Sequence, residues 1–257
     1  MVSIPSFQRK VLSFYEKNKR DLPWRRTEDP YKILVSEVML QQTQVDRVIA
    51  YFNRWMGKWP TAKRLSEASK EDVLKAWQGL GYNSRALRLW EASKVLSKEF
   101  PKIYDKLIEI KGIGPYTASA VLAFAFNEEI AVVDTNIRRV LIHELGLKED
   151  ISLEKLKEIA LKCIPKGKSR VWHNALMDYG AMSATARKTK IRSLSKQGKF
   201  EGSTRETRAA ILRLILEKKE VSMKEIEEKF KHPQIKEILD KMEKEGIVLK
   251  GKSIRLA

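Results

Sequence analysis

Apolar residues recur at helical spacing along almost the whole chain. Over "SFQRKVLSFYEKN", Phe7, Val11, Leu12 and Tyr15 fall on one stripe. "TAKRLSEASKEDVLKAWQGL" predicts two short helices, the second capped by Ser69 with Asp72 following, a capping-box-like start. "SRALRLWEASKVLSKEF" is a further amphipathic stretch, and "TASAVLAFAF" is apolar on nearly every side, which predicts a central, buried helix. Loops fall at "KWP", "GLGYN", "GIGPY" and "IPKGK". No strand pattern competes before the C-terminus, so the fold class is all-α.

A change of pattern falls near residue 200, at "FEGS". After it, "TRETRAAILRLILEKK", "SMKEIEEKF" and "PQIKEILDKMEKEG" read as three helices. The β-prone pieces "IVL" and "SIRL" flank "KGK". This is the layout of a winged helix, a small α+β domain over residues 203–257 that suits either nucleic-acid or protein contact.

"YKILVSEVMLQQTQV", residues 31–45, reads as the first half of a buried helix, with Ile33, Leu34, Val38, Met39 and Val45 at apolar spacings. Glu37 breaks into that pattern, and the amides Gln41 and Gln42 follow one turn later. A lone glutamate on a helix is ordinarily on a solvated face, because charged residues are rarely fully buried.

Composition narrows the partner. Lys and Arg number 51 against 33 Asp and Glu, a net charge of +18, which suits a polyanion such as nucleic acid. A Lys/Glu-rich thermostable protein is the ordinary alternative. Residues 184–200, "ATARKTKIRSLSKQGKF", hold six basic side chains and no acid, a run that could track phosphates or serve as a basic linker. No run approaches the roughly 18 apolar residues of a membrane span. The N-terminus lacks a signal-peptide core, so a cytoplasmic location is expected. The single Cys163 excludes an internal disulfide and an all-cysteine metal site, and reads as helix packing.

"LIEIKGIGPYTASAVLAFAF", residues 107–126, runs from a helix into Gly112-Ile113-Gly114 and then into a helix opened by Pro115. Glycines permit the sharp turn and proline suits a first helical position. The second helix's free N–H groups suit a phosphate. This is a helix–hairpin–helix pattern, with Lys111, Gly112 and Gly114 as candidate DNA-backbone contacts. Further on, "AVVDTNIRRVL" sets Asp134 before a helix starting near Asn136. Asp134 reads as an N-cap, a position where the helix dipole should keep it ionised.

In order, "RDLPWRRTEDPYKILVSEVMLQQTQV", "GLGYNSRALRL", "IKGIGPYTASAV", "VVDTNIRRVL" and "NALMDYGAM" resemble the helix–hairpin–helix DNA glycosylase superfamily. Within it the chain is most similar to the adenine DNA glycosylases of the MutY type, over roughly residues 7–200. The resemblance implies a two-lobed domain over 1–202, with a six-helix barrel lobe over about 30–135 and a second lobe from 1–29 plus 136–202.

It also implies a chemistry. Glu37 would be the general acid that protonates a flipped adenine at N7. Asp134 would be the carboxylate that stabilises the oxocarbenium-like sugar, by charge or through a transient adduct, with Asn136 positioning it. Burial of Glu37 would raise its pKa and keep the proton available. Arg20, Leu22, Trp24 and Asp178 match positions lining the adenine pocket, with Asp178 near the adenine amino group. Gln41, Gln42 and Thr43 fall where the family probes the duplex. Tyr82 and the basic Arg187, Lys188 and Lys190 are further expected DNA contacts. Tyr116 stands where bifunctional relatives carry a lysine, so base excision without efficient strand cleavage is expected. The expected partner is double-stranded DNA carrying a mispair, met by a monomer near the nucleoid.

The chain departs from the family in three places. Most relatives hold a [4Fe–4S] cluster on four cysteines, and a gapless match puts Ala184, Ile191, Leu194 and Phe200 there. Cluster ligation needs thiolates, so no cluster is expected and the apolar residues would form a hydrophobic plug. The resemblance allows a monovalent cation at the hairpin. The tail is too short and too helical to be the Nudix-like domain that recognises 8-oxoguanine in many relatives. Thr135 stands where MutY-type sequences usually have glycine and endonuclease III types often have threonine. Thymine or uracil mismatch excision, and a non-enzymatic DNA-binding scaffold, therefore stay open as alternatives, although retention of both carboxylates speaks against the second.

Overall fold

The computed structural model describes residues 2–192 and 198–257. Among the described residues it comprises fifteen α-helices and three short strands: α1 (Ile4–Asn18), α2 (Pro30–Leu40), α3 (Val45–Lys58), α4 (Ala62–Ser66), α5 (Lys70–Trp77), α6 (Ser84–Leu96), α7 (Tyr104–Ile108), α8 (Pro115–Phe126), α9 (Thr135–Leu145), α10 (Leu153–Lys162), α11 (Ser169–Met182), α12 (Ala186–Thr189), α13 (Thr204–Lys218), β1 (Glu220–Val221), α14 (Met223–Phe230), α15 (Ile235–Lys244), β2 (Val248–Lys250) and β3 (Ile254–Leu256). No helix among them is long and apolar enough to cross a membrane.

Three cores organise these elements. The first joins α2 to α8, with Trp55 edge-to-face on both Trp59 and Trp77. α8 runs through its centre and buries every residue from Thr117 to Ala125. The second core packs α1 against α9, α10 and α11, with Phe7 edge-to-face on Trp172. Cys163 is buried there as packing. Leu22 and Trp24 belong to the first core, not the second, because Trp24 packs edge-to-face on Phe52, 5.5 Å between ring centroids. The first lobe therefore begins before residue 30.

The third core is the C-terminal domain, in the order helix, strand, two helices, two strands. Its sheet runs β1-β3-β2, antiparallel, with Val221 opposite Ile254 and Val248 opposite Leu256. The winged-helix reading matches this order. β1 escaped the sequence pattern because two residues cannot display alternation. Leu74 of α5 and Leu87 of α6 pack into this core, and Lys219 pairs with Glu71, so the domain is seated on the first lobe.

The expected long helix over 31–45 is corrected. α2 stops at Leu40, Gln42 is left-handed at φ 55°, and α3 restarts at Val45. The predicted Ser69 cap is present, its hydroxyl accepting from the Asp72 N–H at 3.0 Å.

Candidate active site

α2 carries Glu37 into the interior, where it is 8% exposed, so a solvated face is excluded. With Tyr116, Asp134 and Asn136 it lines a cavity of about 370 Å³ whose further walls include Arg20, Leu22, Trp24, Arg25 and Gln41. Burial pushes the Glu37 carboxyl up to about 7. A hydrogen bond from the Tyr116 hydroxyl and the charge of Arg25 pull it down, while the charge of Asp134 pushes it further up. Burial likewise lifts the Tyr116 phenol well above its ordinary value, so it is a neutral donor.

Asp134 is the N-cap of α9, as its sequence position predicts. Its Oδ1 accepts from the Ile137 N–H at 2.6 Å, and its Oδ2 from Asn136 Nδ2 at 3.3 Å. The expectation that the helix end alone keeps it ionised is corrected. Burial is the largest influence and raises its pKa, and the N–H groups of Ile137 and Asn136, with Arg139, offset this only in part. Asn136 is itself held, since its Oδ1 accepts from Arg139 Nη2 at 2.6 Å, and Arg139 Nε donates to the Ala184 carbonyl at 2.7 Å. α9 can approach α11 because residue 180 is glycine. A Cβ there would stand 3.1 Å from the Asn136 Cβ and from Val140 Cγ2.

Asp178 is placed differently from the expectation. It is fully buried and does not line the cavity. Instead it clamps two arginines that do. Arg20 Nε donates to it at 2.6 Å, and Arg25 donates at 2.7 and 2.9 Å. Burial raises its pKa, but the Arg25 and Arg20 bonds outweigh burial and hold it below the ordinary value. A carboxylate so fully engaged has little capacity left for a ligand.

Gln41, Gln42 and Thr43 form the loop after α2 at the cavity edge, with Gln41 Nε2 3.5 Å from Thr117 Oγ1. Tyr82 lies outside this cavity, in a second one beyond the loop. Lys111, Gly112 and Gly114 form the turn between α7 and α8 and line neither cavity. Gly112 has φ +102°, and a Cβ there would come 2.7 Å from the Arg88 Cβ. Arg187, Lys188 and Lys190 are exposed on and just after α12, a separate surface. Of the four positions matching cluster ligands, Ala184 and Ile191 are buried, and Leu194 lies outside the described residues. Phe200 is 52% exposed, so it does not fill a plug. It stacks under the Arg205 guanidinium instead, 6.0 Å from the ring centroid.

Sequence reasoning missed Arg85. Its guanidinium donates to the carbonyls of Val38 (2.7 Å), Gln41 (2.6 Å) and Leu80 (2.9 Å), tying the end of α2 to the turn before α6. Burial pushes its pKa down to about 10, which leaves it charged at neutral pH. The available signal was an arginine among the buried positions of "SRALRL". Arg25 was missed because its carboxylate partner, Asp178, is distant in sequence, and Arg139 because it acts through Asn136 and the distant Ala184 carbonyl.

A helix–hairpin–helix scaffold holding a buried and a half-buried carboxyl in one cavity defines a class of DNA-repair fold. Residues 35–166 match the model of the HhH-GPD superfamily base excision DNA repair proteins, and the chain belongs to that superfamily. It is 42% identical over 184 residues to the adenine DNA glycosylase of Mycolicibacterium smegmatis, covering 69% of this chain and 63% of that one. It is 38% identical over 202 residues to the human adenine DNA glycosylase, covering 72% of this chain and 37% of that one. The chain thus spans less than two thirds of the length of these relatives. A solved thermostable thymine-DNA glycosylase superposes with a TM-score of 0.68 at 30% identity, covering 72% of this chain and 89% of that one.

Proposed function

We propose that the protein is a monofunctional adenine DNA glycosylase that removes adenine mispaired with 8-oxoguanine or guanine from double-stranded DNA. In this reading it acts as a cytoplasmic, nucleoid-associated monomer. The observation that carries the reading is Glu37, a buried carboxyl raised to about 7 in the cavity that also holds Asp134. The relatives named adenine DNA glycosylase support the choice of base.

The target nucleotide must leave the stack to reach the cavity. Glu37, protonated, donates its proton to adenine N7. The C1′–N9 bond then breaks, its electron pair leaves with the base, and positive charge develops on the sugar. Asp134 faces that charge as a carboxylate. More donors point at Asp134 than at Glu37, and like charges in a buried pair resist joint ionisation, which favours one proton held by Glu37. Water adds at C1′ and its proton returns to Glu37. Tyr116 has no amine and forms no Schiff base, so the sugar–phosphate chain stays intact.

The [4Fe–4S] group of most relatives does not fit these residues. Ala184, Ile191 and Phe200 offer no thiolate, and Cys163 is buried in the second core with its thiol pushed up to about 11 by burial. No step is assigned to such a group.

Thymine or uracil mismatch excision is the second reading, favoured by the 0.68 TM-score to the thymine-DNA glycosylase. Excision measured on duplexes carrying A:8-oxoG, A:G, T:G and U:G decides between them. Release of adenine supports the proposal, and release of thymine or uracil alone overturns it.

A further inference from the structure

The segment that delivers Asp134 to the cavity, residues 130–134, belongs to no helix or strand. It runs between the first two cores, and its side chains alternate between them. Ile130 and Val132 pack on the first core, Ala131 and Val133 on the second. Extended backbone has this period of two, and Asp134, itself extended, comes next on the side of the first core, where Glu37 lies. A slip of one residue would turn Asp134 to the other side. We propose that His173 is a positioning residue for base excision: its Nε2 holds the Val132 N–H and so fixes the register of the segment that carries Asp134. The inference rests on the glycosylase reading, in which Asp134 faces the sugar.

The first supporting observation is the bond itself. Val132 is fully buried, and its N–H donates to His173 Nε2 at 3.2 Å. Among the described residues this is the one hydrogen bond to the backbone of residues 131–133. A buried N–H that loses its partner also lacks water to replace it, so the segment has a strong reason to stay in this register.

The second is the tautomer. His173 Nδ1 lies 2.8 Å from the Ser169 carbonyl, which can only accept, so Nδ1 carries the hydrogen and Nε2 is left as the acceptor. The ring is 1% exposed, and burial pushes its pKa down to about 4, which keeps it neutral at neutral pH. A charged ring would set one N–H against another at Val132.

The third is the support beneath the ring. Arg170, three residues earlier on α11, donates to the carbonyls at the end of α8, from Nε to Phe124 at 2.5 Å and from Nη2 to Ala125 at 2.7 Å. Its own backbone N–H donates to Asn127 Oδ1 at 2.8 Å. The place of His173 is thus set by α8, the helix that also carries Tyr116. Both carboxyls are referred to one helix, Glu37 through Tyr116 and Asp134 through His173.

The test joins kinetics to a measurement on the ring. His173→Gln keeps an acceptor near the place of Nε2, because the glutamine amide reaches as far as the outer edge of the imidazole. His173→Leu keeps bulk without an acceptor. Single-turnover excision is measured on whichever of the four mispaired duplexes loses its base to the unmodified protein. Affinity is measured on a duplex carrying a tetrahydrofuran abasic analogue. His173→Leu should slow excision about a hundredfold, the effect of a carboxylate misplaced by about an ångström, while affinity stays within about threefold. His173→Gln should recover the rate to within about tenfold of the unmodified protein. The charge of Asp134 raises the Glu37 pKa, against Tyr116 and Arg25, which lower it. Displacing Asp134 in His173→Leu should therefore move the alkaline limb of the rate to lower pH, a change that lost packing alone would not produce. Nitrogen-15 NMR of the three histidines in the unmodified protein should show one neutral ring with its hydrogen on Nδ1. A normal rate in His173→Leu, equal loss in both variants, an unmoved alkaline limb, or a hydrogen on Nε2 of His173 overturns the proposal. If His173→Leu does not fold, the His173→Gln rate and the NMR spectrum decide by the same criteria. Failure of the glycosylase reading would appear separately, as no base released from any of the four duplexes by the unmodified protein.

Discussion

The Tyr116 hydroxyl donates to the Glu37 carboxyl, joining the first turn of α8 to the middle of α2. The bond lowers the Glu37 pKa, burial raises it more, and the balance sits at about 7. A general acid with that value is half protonated at neutral pH, where proton donation is efficient.

The single-turnover rate of excision should fall as pH rises through about 7, because Glu37 then loses the proton it must donate. Tyr116→Phe removes a donor that favours the ionised form, so the alkaline limb should move to higher pH. Stability carries the same signature. The folded protein holds a proton that the unfolded chain releases near the ordinary value of 4.5, so stability should decline as pH rises from 4.5 to about 7 and then level off. The decline is about 3 kcal/mol for that shift. Glu37→Gln should flatten this part of the profile, measured as denaturation midpoint against pH. A flat profile in the unmodified protein would contradict the assignment.

Gly180→Ala should damage catalysis more than folding. The new Cβ meets Asn136 and Val140 at 3.1 Å, so α9 must shift by a few tenths of an ångström. Overpacking of this kind costs about 1–3 kcal/mol. Asn136 and Asp134 ride on the displaced helix end, so kcat should drop while duplex affinity stays. A loss of affinity with normal kcat would contradict the packing argument.

Tyr116→Lys should introduce strand cleavage, since an amine beside the sugar can form a Schiff base. Borohydride should trap a covalent complex with the variant. Efficient trapping of the unmodified protein would contradict the monofunctional reading.

The purified protein should be colourless and contain no stoichiometric iron, and chelator should leave its activity and thermal midpoint unchanged. Elemental analysis checks this. Iron at four atoms per chain would contradict the reading of the cluster positions.

The two carboxyls were legible in the sequence because each sits in a contiguous motif: Glu37 in an apolar helix pattern, Asp134 before a helix start. The hairpin was legible through Gly112 and Pro115, whose backbone constraints leave few alternatives. Asp178 was misplaced because its two arginines lie more than 150 residues away in sequence, and no local pattern reports such a pairing. Arg85 was missed because its partners are backbone carbonyls, which every residue has. Phe200 was expected inside because it is apolar, but packing against Arg205 lets half of its surface remain exposed. The break after Leu40 went unread because glutamine carries no turn signal, and only the structure shows Gln42 in the left-handed region.

The central claim is that Glu37 and Asp134 perform base excision together. Single-turnover excision of adenine from an A:8-oxoG duplex, run beside a binding titration, tests it most directly. Glu37→Gln and Asp134→Asn should each abolish adenine release, while affinity for the duplex stays within about threefold because phosphate contacts supply most of it. Near-normal excision by either variant would contradict the account.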